Sequence, residues 1–155
     1  MERYYAKKDA SRVATNESRV ELKRPRIELE MNDIVSDPGL RKPIDEFHHD
    51  IRYDARRAYL QMGPHQPVCS YQRTEDKTQS RGFVQSWFDR FDWLEYRVAK
   101  DAAYCFYCYL FKLEKTSNFG NDAFTKVGFR NWEKGKDCLR QHAQAIDGSH
   151  NNARK

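Results

Sequence analysis

Apolar residues recur at helical spacing in one segment of the first half of the chain. Five of the apolar residues between 51 and 62 fall at helical spacing, namely Ile51, Ala55, Ala58, Tyr59 and Met62. Their spacing predicts an amphipathic helix. Asp50 can cap its start, and Gly63 followed by Pro64 ends it. Arg52 and Arg56 lie one turn apart on the opposite face, where we expect a solvated surface, with phosphate contact as the alternative.

A second patterned region combines a short helix with a hairpin. Ser86 can cap a helix over 86–91. Residues 94–98 alternate apolar and charged side chains, which is typical of a strand. Lys100 and Asp101 can reverse the chain, so 103–111 is expected to return as the second strand. Upstream, prolines make 63–67 extended, and 70–80 is predicted to be a polar loop.

The last helical pattern lies near the end of the sequence. Leu139, His142 and Ile146 share one face of a helix predicted over 137–146. Gly135 weakens the preceding turn by about 1 kcal/mol relative to alanine. The predicted fold is a small α+β unit. It consists of a zinc-stapled β-hairpin plus a C-terminal helix, preceded by a short helical segment and a disordered N-terminal tail.

Charge and aromatic content divide the chain into three stretches. Residues 1–35 carry eight basic and seven acidic residues and no sustained period, so we predict a disordered tail. Residues 36–80 carry seven charges of each sign and form an extension with one helix and a proline-rich loop. Residues 81–155 contain 15 of the 21 aromatic residues, which are concentrated enough to build a small core.

The composition excludes some classes of protein. The sequence has no run of about 18 apolar residues, the length that a membrane span requires. The charged start of the chain is not a secretory signal. A nuclear or cytosolic compartment is therefore expected, where four cysteines act as thiols or metal ligands. A formal charge of +5 weakly favours an anionic partner.

Two cysteines in the predicted hairpin form the sharpest chemical motif. Cys105 and Cys108 are separated by two residues, a spacing that lets both sulfurs bind one ion at about 2.3 Å. His142 and His150 complete a Cys-x2-Cys-x33-His-x7-His pattern. Residues eight apart on an unbroken helix differ by about 12 Å in rise. Both imidazoles can therefore reach one ion only if the helix ends between them, and Gly148 can end it.

Other interpretations of the cysteines remain open on the residues alone. Cys138 lies one turn before His142, so a site with three cysteines and one histidine is the main alternative. A redox Cys-x-x-Cys pair and a pair of ordinary core thiols are two further alternatives. The remaining candidates are expected to be unligated or at the surface: Cys69, His48, His49 and His65.

Several longer motifs resemble the TTF-type zinc finger of transposases and transcription factors. They are SWF at 86–88, WLEY at 93–96, KDAAYCFYCYLF at 100–111, GFRNW at 128–132, and His142 followed by SHN at 149–151. Upstream, SDPGLRKPI at 36–44, RRAY at 56–59, and the pairs GP at 63–64 and QP at 66–67 also resemble this family. The likeness spans about 34–155 and is greatest to plant zinc finger MYM-type protein 1-like proteins, derived from hAT-family transposons.

The resemblance implies a zinc-dependent, DNA-binding finger of transposon origin in the nucleus. It implies Zn²⁺ as the cofactor and Cys105, Cys108, His142 and His150 as its ligands. Transposase-like relatives continue into a catalytic core. This sequence stops just after His150, so we expect an N-terminal fragment or a domesticated, inactive remnant without enzyme activity. We expect no small-molecule substrate.

Basic residues cluster around the predicted C-terminal helix. The candidates for DNA contact are Lys126, Arg130, Lys134, Lys136 and Arg140. Lys136 and Arg140 lie four residues apart and can address one phosphate backbone. The alternatives are a face of solubilising charges and a zinc-stabilised module that binds a protein partner. Residues 23–26, with the sequence KRPR, weakly resemble a nuclear-import signal.

Overall fold

Two small antiparallel hairpins and four helices form an α+β architecture in the part of the chain that the structure describes. The computed structural model describes residues 26–75, 79–112, 122–144 and 150. The helices are α1 (Arg52–Met62), α2 (Trp87–Arg90), α3 (Phe106–Phe111) and α4 (Gly135–Gln144). The strands are β1 (Arg73–Glu75), β2 (Ser80–Gly82), β3 (Leu94–Arg97) and β4 (Ala102–Cys105). Short 3-10 turns and one π-helical turn connect them.

The hairpin of β3 and β4 forms where the alternating pattern predicted it. Leu94 pairs with Cys105 at its open end. Asp101 closes the turn in a left-handed conformation with φ 48°. Its carboxylate accepts hydrogen bonds from the Tyr96 hydroxyl at 2.7 Å and from Trp132 Nε1 at 2.9 Å. The turn residue therefore ties the hairpin to the segment that leads into α4.

The predicted second strand over 103–111 is wrong beyond Cys105, because the chain turns there into α3. The Cys105 sulfur accepts a hydrogen bond from the Cys108 backbone N–H at 3.4 Å, in the manner of a helix cap. The alternation predicted for 94–98 is also incomplete. Glu95 is buried together with its two apolar neighbours, whereas Val98 is exposed. The hairpin is thus covered on both faces along β3.

Helix α1 confirms the helical prediction, but its details differ. Asp50 does not cap it, since Ile51 occupies the N-cap position. Met62 is exposed rather than in the core. Arg52 Nε donates to the Phe47 carbonyl at 2.9 Å, so this arginine holds the approach to the helix rather than projecting into solvent. Arg56 Nε likewise donates to the Leu110 carbonyl at 2.8 Å on α3.

Two further predictions need correction, and one boundary shifts. The polar loop predicted over 70–80 contains β1 and the first residue of β2. Ser86 makes no side-chain cap to α2. Helix α4 begins at Gly135, two residues before its predicted start, and this glycine packs directly against the Trp87 ring. The predicted end of that helix and the break at Gly148 lie outside the described residues.

The buried apolar side chains form two cores. The first surrounds the β3–β4 hairpin and α4 and includes Trp87, Trp93 and Trp132, as expected from the concentration of aromatic residues in 81–155. The second lies between α1 and α3. Its buried members are Ile44, Phe47, Ile51, Ala55, Tyr59, Phe106 and Leu110. Leu29 and Ile34 pack against the second core, so part of the predicted tail contributes to the fold, and 1–25 lies outside the described residues.

A buried ion pair connects the N-terminal extension to the hairpin. Arg41 Nη1 and Nη2 donate to the two carboxylate oxygens of Glu95 at 2.9 and 2.8 Å. Arg41 also donates to the backbone carbonyls of Val35 and Ser36, and Glu95 accepts the His65 backbone N–H at 2.9 Å. Each guanidinium nitrogen of Arg41 and each carboxylate oxygen of Glu95 has a hydrogen-bond partner. The buried network therefore holds the N-terminal extension against β3.

Candidate metal centre

The two cysteines of the Cys-x-x-Cys motif are brought together by the junction of a strand and a helix. Cys105 is the last residue of β4, and Cys108 lies in the first turn of α3. The helical turn that replaces the predicted strand places both sulfurs on the same side of the backbone. Both cysteines are free thiols and are buried.

Two histidines complete the cluster from the opposite side. His142 lies in the last turn of α4, and His150 is buried. One ligand atom from each of the four side chains (Cys105, Cys108, His142 and His150) lies within 4.8 Å of the others. All four predicted ligands are therefore brought together. Cys138 is half-buried on α4 and does not belong to this cluster.

The separations within the cluster fit a tetrahedral ion. The Cys105 sulfur lies 3.2 Å from His150 Nδ1, and the Cys108 sulfur lies 3.5 Å from His142 Nε2. Zinc bonds of about 2.3 Å to sulfur and about 2.0–2.1 Å to nitrogen place a sulfur and a nitrogen about 3.5 Å apart in a tetrahedron. The donor set and its spacing are thus compatible with a structural zinc site.

The electrostatics of the two thiols differ. Burial, reinforced by the neighbouring Cys108, raises the pKa of Cys105 well above its ordinary value. The pKa of Cys108 is lowered, chiefly by its hydrogen bond with Cys105 and further by the two imidazoles. The cluster therefore favours a thiolate at Cys108, and a thiolate is the form of cysteine that binds metals.

The two ring nitrogens of His150 have different surroundings. Its Nδ1 lies 3.2 Å from the Cys105 sulfur, so Nδ1 is the nitrogen that faces the cluster. Its Nε2 is buried and has no hydrogen-bond partner among the described residues. The centroid of the His150 ring lies 5.0 Å from that of His142.

Aromatic rings enclose the imidazoles. The Trp93 ring centroid lies 5.0 Å from those of both His142 and His150. Phe124 lies 4.3 Å from His142, and Tyr107 lies 6.1 Å from His150. Trp93 is the first residue of the WLEY motif. This position carries no signal of contact with the two histidines, because they lie about 50 positions away in the chain.

The five basic residues predicted to contact DNA are all exposed. They are Lys126, Arg130, Lys134, Lys136 and Arg140. Arg140 forms an ion pair with Asp137 at 2.8 Å, one turn away on α4. No ion pair involves Arg130, Lys134 or Lys136 within the described ranges, so these three cations remain available at the surface.

The remaining candidates lie away from the cluster. Cys69 is half-buried beside the first core. The His65 ring pairs with the Ser36 hydroxyl at 2.9 Å, and its backbone joins the Glu95 network, so it is a structural residue rather than a free surface one. His48 and His49 are exposed, as predicted.

Comparison with known proteins found no match to a protein-family model, a curated protein or a solved structure. Among the residues that the structure describes, no helix is both long and apolar enough to cross a membrane.

Proposed function

We propose that this chain is a zinc-dependent DNA-binding module of transposon origin that acts in the nucleus. The observation that supports it best is the convergence of two sulfurs and two imidazole nitrogens within 4.8 Å of one another. The motif resemblance to TTF-type fingers is the basis for the nuclear and transposon parts of the proposal.

Zinc would have a structural role in this proposal. Cys105, Cys108, His142 and His150 would hold it and fill a four-coordinate sphere, which leaves no position for an activated water. The bound ion would link the β3–β4 hairpin, α3 and α4 to one another. Structural zinc contributes about 10–16 kcal/mol in finger peptides, comparable with the stability of a whole domain. We therefore expect a folding determinant and no enzyme activity.

The exposed cations around α4 support a phosphate-binding surface. Lys136 and Arg140 lie on one face of α4, outside the buried face that carries Leu139. Arg130 and Lys134 are exposed in the segment just before the helix. Because α4 also carries His142, metal binding would fix the orientation of this surface. Contacts of this kind bind the backbone of duplex DNA without reading its sequence.

The test is binding of the zinc-loaded chain to a labelled DNA duplex of random sequence, followed by fluorescence anisotropy. Affinity should fall with salt by about 0.9 log units per log unit of salt for each phosphate neutralised. Reversing charge at Lys136 and Arg140 to glutamate should abolish binding. The matched control reverses charge at two exposed arginines elsewhere, Arg57 and Arg73, and should bind nearly as well. Affinity that is indifferent to salt, or equal loss in both variants, would contradict the proposal.

A zinc-stabilised protein-interaction module is the second candidate. It is supported by large apolar side chains on the outer face of α1, where Tyr53 and Leu60 are exposed seven residues apart. Replacing both with serine should weaken binding of a protein partner and leave DNA binding unchanged. The Lys136 and Arg140 variant should do the reverse.

A further inference from the structure

A second group of metal-ligating side chains lies just before α1, far along the chain from the Cys/His cluster. His48, His49 and Asp50 are consecutive and exposed, and one ligand atom from each lies within 4.8 Å of the others. The two imidazole rings converge, with centroids 4.2 Å apart. Adjacent residues in an extended segment would point their side chains in opposite directions, so this convergence reflects the local turn.

The backbone of this turn is anchored on both sides. Phe47 and Ile51 are buried in the second core. The Ile51 backbone N–H donates to the His48 carbonyl at 3.0 Å, which closes the turn. Arg52 donates to the Phe47 carbonyl at 2.9 Å and fixes its start. Because the backbone is already ordered, a ligand would need to immobilise only the three side chains.

The separations between the imidazoles and the carboxylate suit a shared ion. His49 Nε2 lies 2.9 Å from one oxygen of Asp50, and His48 Nδ1 lies 3.4 Å from the other. His48 Nδ1 also accepts the Asp50 backbone N–H at 3.4 Å, a long contact that a bound ion would replace. An ion bound at about 2.0–2.2 Å holds neighbouring tetrahedral or octahedral ligands about 2.8–3.6 Å apart. Two imidazoles and one carboxylate are a ligand set suited to zinc, nickel and copper rather than to magnesium or calcium.

We propose that His48, His49 and Asp50 form a surface site for a divalent late transition metal, separate from the Cys/His centre. Three protein ligands leave the remaining positions to water, since all three side chains face solvent. The site is therefore weaker than a closed four-ligand centre and exchanges its ion readily. It is independent of the proposed DNA-binding function.

The same separations also fit plain hydrogen bonds between the histidines and the aspartate. A metal titration distinguishes a metal site from hydrogen bonds alone. The full chain, without an affinity tag and loaded with one equivalent of zinc, is titrated with nickel chloride in a calorimeter. Wild type should bind one nickel ion per chain while retaining its zinc. Asp54→Asn removes an exposed carboxylate one turn further on, and this matched control should bind nickel equally.

The double variant His48→Ala/His49→Ala should lose the nickel-binding event and keep its zinc. Absence of nickel binding in wild type, or unchanged binding in the double variant, would overturn the proposal. A second readout does not depend on a variant. Nickel should broaden the imidazole NMR signals of His48 and His49 in wild type before those of His65, and the opposite order would also overturn the proposal.

Discussion

Replacing Glu95 with leucine would leave the Arg41 guanidinium buried without its carboxylate. In the intact protein the two side chains are 0% and 1% exposed, and their closest atoms are 2.8 Å apart. Removing one partner of such a pair typically costs about 3–5 kcal/mol, because the remaining charge stays desolvated. Arg41 would keep two backbone acceptors, the carbonyls of Val35 and Ser36. We therefore expect the lower end of the range, about 3 kcal/mol.

Thermal unfolding of the zinc-loaded chain measures this loss. For a chain of this length each kcal/mol shifts the midpoint by about 2–4 °C, so Glu95→Leu should lower it by about 6–12 °C. The control is Asp33→Asn, which breaks an ion pair with Lys42 whose side chains are 35% and 38% exposed. Exposed pairs contribute about 0–1 kcal/mol, so the control should change the midpoint by only a few degrees at most.

A double variant identifies the cause. Arg41→Met/Glu95→Leu replaces both charges with apolar groups, and it should be more stable than Glu95→Leu alone because no charge remains buried. If Glu95→Leu costs less than about 1 kcal/mol, or if the double variant loses the sum of the two single changes, the ion pair does not hold the N-terminal extension against β3.

Three further outcomes are expected. Gly135→Ala would gain about 1 kcal/mol of helix propensity, but its Cβ would lie 2.7 Å from the Trp87 ring. Overpacking of about 1–3 kcal/mol should therefore give net destabilisation in urea unfolding, and a more stable variant would contradict this. His150→Ala should lose bound zinc and Cys138→Ala should keep it; metal analysis showing the reverse would assign the fourth ligand to Cys138. Acid should release the zinc, because protons compete for thiolates and imidazoles as pH falls. A zinc indicator that reports release only as pH rises would refute this.

The spacing of residues was sufficient to predict those elements that depend on contacts between residues close together in the sequence. The helix over 51–62 follows from apolar positions three and four residues apart, and it buries Ala55 and Tyr59 as predicted. The hairpin follows from alternation on one side of the Lys100–Asp101 reversal. The chemistry of Cys105 and Cys108 is likewise local, since the helical turn between them brings the two sulfurs to the same side of the backbone.

The features that the sequence could not indicate depend on contacts between residues that are far apart in the sequence. Glu95 has the position of an outward residue in an alternating strand, and it is buried because Arg41 arrives from 54 positions away. The sequence pattern places Arg56 on a solvated face, yet its Nε donates a hydrogen bond to the Leu110 carbonyl on α3. The short hairpin of β1 and β2 has no apolar alternation to reveal it.

Zinc K-edge X-ray absorption of the purified full chain shows whether the four side chains hold one ion. We expect one tightly bound zinc per chain with two sulfur ligands at about 2.3 Å and two nitrogen ligands at about 2.0–2.1 Å. A chain that retains no zinc, a shell of three sulfurs and one nitrogen, or a shell with no sulfur would contradict it.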